Sequence, residues 1–180
     1  MTLNQREVEQ LINDNLPIPG KIRHIDGNVT IISDYTNGDS WSAIEDISGF
    51  FQLQNSQMDL SALTSIGGQL SLTEGVEANL PTLISIGNYL YLLKNSQADL
   101  SALTKVGGGL YICENVQVSL SALSSVGGGV YISDYTDPLP TQLRHLETRE
   151  KYKLIYQAED IANQVTSSGG ISVIKRRASL

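Results

Sequence analysis

A chain of 180 residues with 41% hydrophobic and 17% charged residues is long enough to bury one substantial core, and it holds no apolar run of the roughly eighteen residues that a membrane-spanning helix needs. The net charge of −7 is unevenly placed: residues 26–137 carry twelve acidic side chains against Lys94 and Lys105, residues 1–25 balance to zero and residues 138–180 sum to +3. An acidic surface repels the phosphate backbone, which disfavours direct nucleic-acid binding and favours a protein partner with a basic surface.

The N-terminal stretch TLNQREVEQLINDNLPIPG places Val8, Leu11, Ile12 and Leu16 on one helical face. Thr2 or Asn4 can cap that helix with Gln5 or Glu7 three residues on, and Pro17 and Pro19 stop it. Residues 1–20 are thus expected to form a capping helix. The polar start argues against a signal peptide, and the single cysteine, Cys113, excludes an internal disulfide framework. Both point to a soluble cytoplasmic protein in a bacterial cell or an infected host cell, in which the sequon Asn28-Val29-Thr30 stays idle.

Residues 21–138 are a repeat array. From Leu60, Leu80, Leu100 and Leu120 the chain runs LSALTSIGGQLSL, LPTLISIGNYLYL, LSALTKVGGGLYI and LSALSSVGGGVYI, a period of twenty residues without insertion. Leu60, Leu80, Leu100 and Leu120 form one apolar column, Leu63, Leu83, Leu103 and Leu123 a second, and Ile66, Ile86, Val106 and Val126 a third. A single unit cannot bury these columns, so successive units must stack as a solenoid. Upstream, residues 47–60 match the same unit with one residue missing, consistent with a shortened turn. ISDYT at 32–36 returns at 132–136, one hundred residues later, as though the register ran unbroken through about six coils.

Within a coil the Gly pairs Gly67-Gly68, Gly107-Gly108 and Gly127-Gly128, with Gly87-Asn88 in the same place, are expected to turn a corner with positive φ. A strand should follow in Leu70–Leu72, Leu90–Leu92, Leu110–Ile112 and Val130–Ile132, its outer residues pointing in and its middle residue out, giving one parallel sheet. Asn55, Asn95 and Asn115, with Gly75 at the same phase, should close a second turn, where an Asn side chain can bond the backbone of the next coil. After Pro138 and Pro140, residues 139–180 form a cap and basic tail: KYKLIYQAEDIANQV carries a helical period, while Lys151 to Gln157 also alternates as a strand would, and a short strand is possible at Ile171 to Ile174.

The succession of Leu, Leu three on, a hydrophobic-Gly-Gly step, Leu-x-Leu and then Asn resembles leucine-rich repeats, most closely those of receptor L domains and of short bacterial and phage arrays. The resemblance covers residues 47–135 and implies a short right-handed parallel β-solenoid, mainly β, used as a recognition scaffold. It carries over no site residue. The chain departs from receptor versions in lacking cysteine modules, which argues against an extracellular receptor.

Two surface features suggest partner binding. Tyr91, Tyr111 and Tyr131 take the outward place on three successive strands, with Leu93 and Cys113 beside them and Lys94, Glu114 and Asp134 as a charged rim, the make-up of a protein-binding patch. The plainer reading is a ladder that stabilises parallel strands or lies under the C-terminal segment. The second feature is acidity itself, with Glu74, Glu77, Asp99 and Glu114 as its named carriers. It serves solubility on the plain reading, and on the sharper one it makes the chain a phage-encoded inhibitor, of anti-CRISPR or other anti-defence type, that fills the nucleic-acid groove of a bacterial enzyme. Tyr35 and Tyr135 are read as structural. The tail KRRASL, with Arg176, Arg177 and Ser179, resembles a kinase recognition site and can also lie against an acidic solenoid, its own or a second copy's, which hints at a homo-oligomer.

Catalysis is not expected. His24 and His145 lie at opposite ends of the array, the Gly stretches lack the lysine of a phosphate loop, Glu45 and Asp46 would point apart on a strand, and Cys113 has no neighbouring base to activate it. No cofactor or metal is called for.

Overall fold

The computed structural model describes residues 1–54 and 58–132 in full and residues 154–155 for their backbone. The described residues wind into a parallel β-solenoid of about six coils with three sheets in place of the single one expected. The first sheet holds Thr2–Asn4, His24–Asp26, Asp46–Ile47, Ser65–Ile66, Ser85–Ile86, Lys105–Val106 and Ser125–Val126. The second holds the Leu-x-Leu strands, Val29–Ile31, Phe51–Leu53, Leu70–Leu72, Leu90–Leu92, Leu110–Ile112 and Val130–Ile132, with Leu154–Ile155 added at its end. Glu77–Asn79, Gln97–Asp99 and Gln117–Ser119 make the third, a strand after the Asn turn that the sequence reading had not resolved.

The three apolar columns fill the interior, every member from Leu60 to Val126 at most 2% exposed. They reach further upstream than the repeat could be traced, because Trp41, Ile44 and Ile47 occupy the corresponding places and are wholly buried. Trp41 stacks on Phe51 at 6.1 Å and its Nε1 donates to the Tyr35 hydroxyl, which donates in turn to the carbonyl of Leu16. That polar chain makes Tyr35 structural, as expected. Each buried Leu or Ile contributes on the order of 1.5–3 kcal/mol, so the columns rather than any local propensity hold the coils together.

Coil length varies only at the start. Strand pairing steps by 22 residues from Ile31 to Leu53, by 19 to Leu72, and by 20 thereafter to Leu92, Ile112 and Ile132. The missing residue lies after Leu53, as the shortened turn requires. The two ISDYT segments, however, are one residue out of register: Ile31 and not Ile32 aligns with Ile132, and Ile31 is buried while Ile32 is only partly so. A one-residue slip exchanges the two faces of a strand, so burial settles the alignment.

The glycine pairs need correction too. Gly67, Gly87, Gly107 and Gly127 do not have positive φ; among the described glycines that conformation belongs to Gly27 and Gly75. A Cβ on Gly87, Gly107 or Gly127 would instead fall well under 3.0 Å from the carbonyl oxygen of the corresponding glycine one coil earlier. The same residues donate their N–H to the preceding coil, Gly107 to Ile86 at 2.8 Å and Gly127 to Val106 at 2.9 Å. Glycine is required there for close approach between backbones, not for a left-handed turn. The left-handed turn sits where Asn was expected to make it, with φ of 59° at Asn95, 56° at Asn115 and 72° at Gly75.

The N-terminal cap is a helix, α1 (Gln5–Asn13), preceded by the strand Thr2–Asn4. Asn4 caps it, its side chain accepting from the Glu7 N–H while the Glu7 carboxylate accepts from the Asn4 N–H. Val8 and Ile12 are buried and Leu11 is packed at the core's edge, while Leu16, also placed on the apolar face, is exposed because the helix ends before it. The helix packs on Val29–Ile31 and so covers one end of the second sheet. At the other end Leu154–Ile155 pairs in parallel with Val130–Ile132, which supports the strand reading at those two residues. The helical expectation for the rest of 139–180, the strand at 171–174, Asn55 and Tyr135 lie outside the described residues.

Gly107→Ala should therefore destabilise the fold by at least about 3 kcal/mol, the upper range for an overpacked site, whereas Gly20→Ala, with nothing within 4 Å, should change it by under about 0.5 kcal/mol. Ser96 is fully buried with an unpartnered Oγ, and Ser96→Ala should raise stability by about 1 kcal/mol. Urea denaturation of the three variants reads all these values.

Candidate functional site

The outward column of the second sheet runs Thr30, Gln52, Ser71, Tyr91, Tyr111 and Tyr131, partners in register across adjacent strands. The coil rise of about 4.8 Å brings successive rings to stacking distance. Tyr91 and Tyr111 lie 4.7 Å apart with planes at 19°, and Tyr111 and Tyr131 lie 4.3 Å apart with planes at 2°. A glycine two residues before Tyr111 and before Tyr131 makes the room. A Cβ on Gly109 would come within 3.1 Å of the Tyr111 ring, and one on Gly129 within 3.0 Å of Tyr131.

In the coil of Tyr91 that place is taken by Tyr89, a fourth member that the sequence reading missed. Its ring lies 5.8 Å from Tyr91 and 6.0 Å, edge-on, from Tyr111. The signal was there in Tyr89-Leu90-Tyr91, since residues two apart share a face of a strand.

The column is less exposed than expected. Tyr91 is only 3% exposed, and Leu93 and Cys113 are buried as well, which corrects their placing on an open outer face. All three stand apart from the interior core cluster. Tyr111 and Tyr131 are half-buried; Tyr111 is stacked on both faces, by Tyr91 and Tyr131, and Tyr131 on one, by Tyr111. Burial, with the neighbouring Tyr89 and Tyr131 hydroxyls as a smaller cause, holds the Tyr91 hydroxyl protonated well above its ordinary value of 10.0; burial and then Tyr131 do the same for Tyr111.

The other candidate residues fall into two further rows. Lys94 and Glu114 form an ion pair at 2.5 Å on the turn beside the tyrosine column, one coil apart. Glu74 is exposed in the same row, 3.5 Å from the Asn95 side chain, which accepts in turn from Asn115 at 3.2 Å. The Asn residues thus bond side chain to side chain between coils, where a bond to backbone was expected. Glu77 and Asp99 lie beyond the turn on the third sheet, both exposed, the first accepting from Gln97 at 3.5 Å and the second from the Ser101 N–H at 3.0 Å. Asp134 lies outside the described residues. A groove of about 830 Å³ runs along this third sheet and takes in Glu77 and Asp99.

Among the described residues the titratable groups near the first sheet form separate pairs. His24 pairs with Asp46 and Arg23 with Glu45, so the two adjacent acids serve separate partners. Among the described residues no three His, Cys, Asp or Glu side chains gather as a metal site, and no helix is long and apolar enough to cross a membrane. No protein family, curated protein or solved structure matches the chain.

The tyrosine burial has a measurable consequence. Because the folded state holds protons on Tyr91 and Tyr111 that the unfolded chain gives up near pH 10, stability contributed by these groups is full below that pH and falls as pH rises above it. Absorbance at 295 nm should show a fraction of the tyrosine signal that ionises only with unfolding above pH 10, and in a Tyr91→Phe/Tyr111→Phe variant that late fraction should shrink.

Proposed function

We propose that this chain is a non-enzymatic protein-binding scaffold, of leucine-rich-repeat kind, that works in the cytoplasm by stoichiometric association. The observation that carries the reading is the pair Tyr111 and Tyr131, two rings locked parallel at 4.3 Å on a rigid sheet with part of their surface open beside the Lys94–Glu114 pair. Pre-ordered aromatic edges next to a charged rim lose little entropy on docking, which is where much of the cost of association lies. Tyr91 and Tyr89 then act behind them as support. The resemblance of the repeat to leucine-rich arrays agrees with this use.

A second reading is favoured by the exposure of Glu74, Glu77 and Asp99 on a stretch with few cations: an acidic inhibitor, phage-encoded and of anti-defence type, that occupies the nucleic-acid groove of a bacterial enzyme. The readings separate by salt. Affinity capture from a bacterial lysate with the native chain should retain a partner that resists 0.5 M salt and is lost with Tyr111→Ala/Tyr131→Ala. A nucleic-acid enzyme that is released by salt and still held by that variant would favour the inhibitor, and retention of nothing would end both.

A further inference from the structure

A polar seam fastens the N-terminal cap to the turn after Val29–Ile31, joining residues 15–18 to residues 35–40. The Tyr35 hydroxyl donates to the Leu16 carbonyl at 3.0 Å, and the Ser40 hydroxyl accepts from the Ile18 N–H at 2.9 Å while donating to the Asn37 carbonyl at 2.6 Å. Two asparagines stand at the exposed end of the seam. The Asn37 amide nitrogen donates to the Asn15 carbonyl at 2.7 Å and to the Asn15 side-chain oxygen at 3.2 Å, and that oxygen also accepts from the Thr36 N–H at 3.0 Å. Asn37 precedes the short 3₁₀ turn Gly38–Trp41, a place where an asparagine side chain ordinarily caps, yet it makes no cap bond and turns to Asn15 instead. Of the asparagines in the chain it alone is followed by glycine. An Asn-Gly step is chemically labile, because glycine puts no side chain in front of its own nitrogen and its backbone adapts to ring closure.

We infer that Asn37–Gly38 is a modification site that acts as a one-way latch on the cap: when the seam opens, Asn37 deamidates, and the carboxylate it leaves facing the two Asn15 oxygens keeps the seam from closing. The Gly38 nitrogen attacks the Asn37 Cγ. A C–N bond forms, the Cγ–Nδ2 bond breaks, and Nδ2 departs as ammonia with the proton that the Gly38 nitrogen gives up. One water then opens the imide to aspartate or to isoaspartate, the second of which adds a methylene to the main chain. In the closed seam the Asn15 bonds hold the side chain away from the following nitrogen, so the reaction waits on opening. Afterwards a group that donated twice can only accept, and it meets two acceptors. Lost bonds and repulsion both act against closure. Release of the cap uncovers the end of the second sheet at Val29–Ile31, against which α1 packs. The inference is independent of the tyrosine column and of the partner it serves.

The test ages the full chain at neutral pH, folded and in urea, and locates aspartate and isoaspartate by peptide mass spectrometry. Product should accumulate at position 37 ahead of every other asparagine, and about tenfold or more slowly in the folded chain than in urea, since folded-state reaction needs local opening. It should form severalfold faster with Asn15→Gly, which tolerates the left-handed backbone of Asn15, φ 50°, and deletes the side-chain oxygen. The deamidated chain, separated by its added charge on an anion exchanger, should exchange the amide hydrogens of α1 about three- to tenfold faster than the fresh chain, with those of Leu90–Leu92 and Leu110–Ile112 unchanged. Asn37→Asp should reproduce that change, and Asn37→Ala, which loses the donors without gaining charge, should reach only part of it. Because aging supplies the deamidated protein directly, the exchange measurement does not depend on a variant that folds. Equal rates folded and in urea, product at another asparagine before position 37, α1 exchange identical in fresh and deamidated chains, or an effect of Asn37→Ala as large as that of Asn37→Asp would each overturn the inference.

Discussion

The approach of one coil's backbone to the next at the Gly67, Gly87, Gly107 and Gly127 column is the constraint on which the rest of the structure depends. Each of these residues seats against the carbonyl of its predecessor and donates its own N–H one coil back, with no space for a side chain. That contact fixes the coil spacing near the parallel-strand value, and the spacing fixes everything arranged along the axis. Leucine and isoleucine columns meet at van der Waals distance inside, and tyrosine rings meet at stacking distance outside. A looser stack would open the core and part the rings together.

Outward side chains in such a stack form straight rows, so a short sequence repeat becomes a patterned surface. Three patterns result here, one per row of coil positions. The second sheet carries hydroxyls and aromatic edges, the turn carries an ion pair and an Asn ladder, and the third sheet carries carboxylates and amides. Rigid rows of mixed character are the kind of surface that recognition uses. The same rigidity explains the support role of Tyr89, which fills a place that glycine holds in the following two coils and leaves Tyr91 enclosed.

Much of this was legible in the sequence because the repeat is undiluted from Leu60 to Ile132. Column membership, strand position and the Asn turn follow from spacing alone, while Thr2 and Asn4 were both open as the cap until the hydrogen bonds chose Asn4. Three things were not legible. The role of the glycines was misread because a sequence shows that a side chain is missing but not whether torsion or contact forbids it. The register between the two ISDYT segments was misread because a 22-residue coil and a 19-residue coil nearly cancel. The third sheet depends on how the coil bends after Asn95, which no local pattern encodes, and the burial of Tyr91 on the Tyr89 ring beside it. For the candidate site, the chemistry of the residues was readable and their partition among three surfaces was not.

Site-specific photo-crosslinking in living cells tests the central claim, recognition through the outward rows, most directly. A benzophenone side chain placed at Tyr131, on the outward row of the second sheet, is compared with one at Ser85, on the outward face of the first sheet. The account predicts a discrete protein adduct from position 131 and none from position 85. Adducts of equal yield from both positions, or none from either, would contradict it.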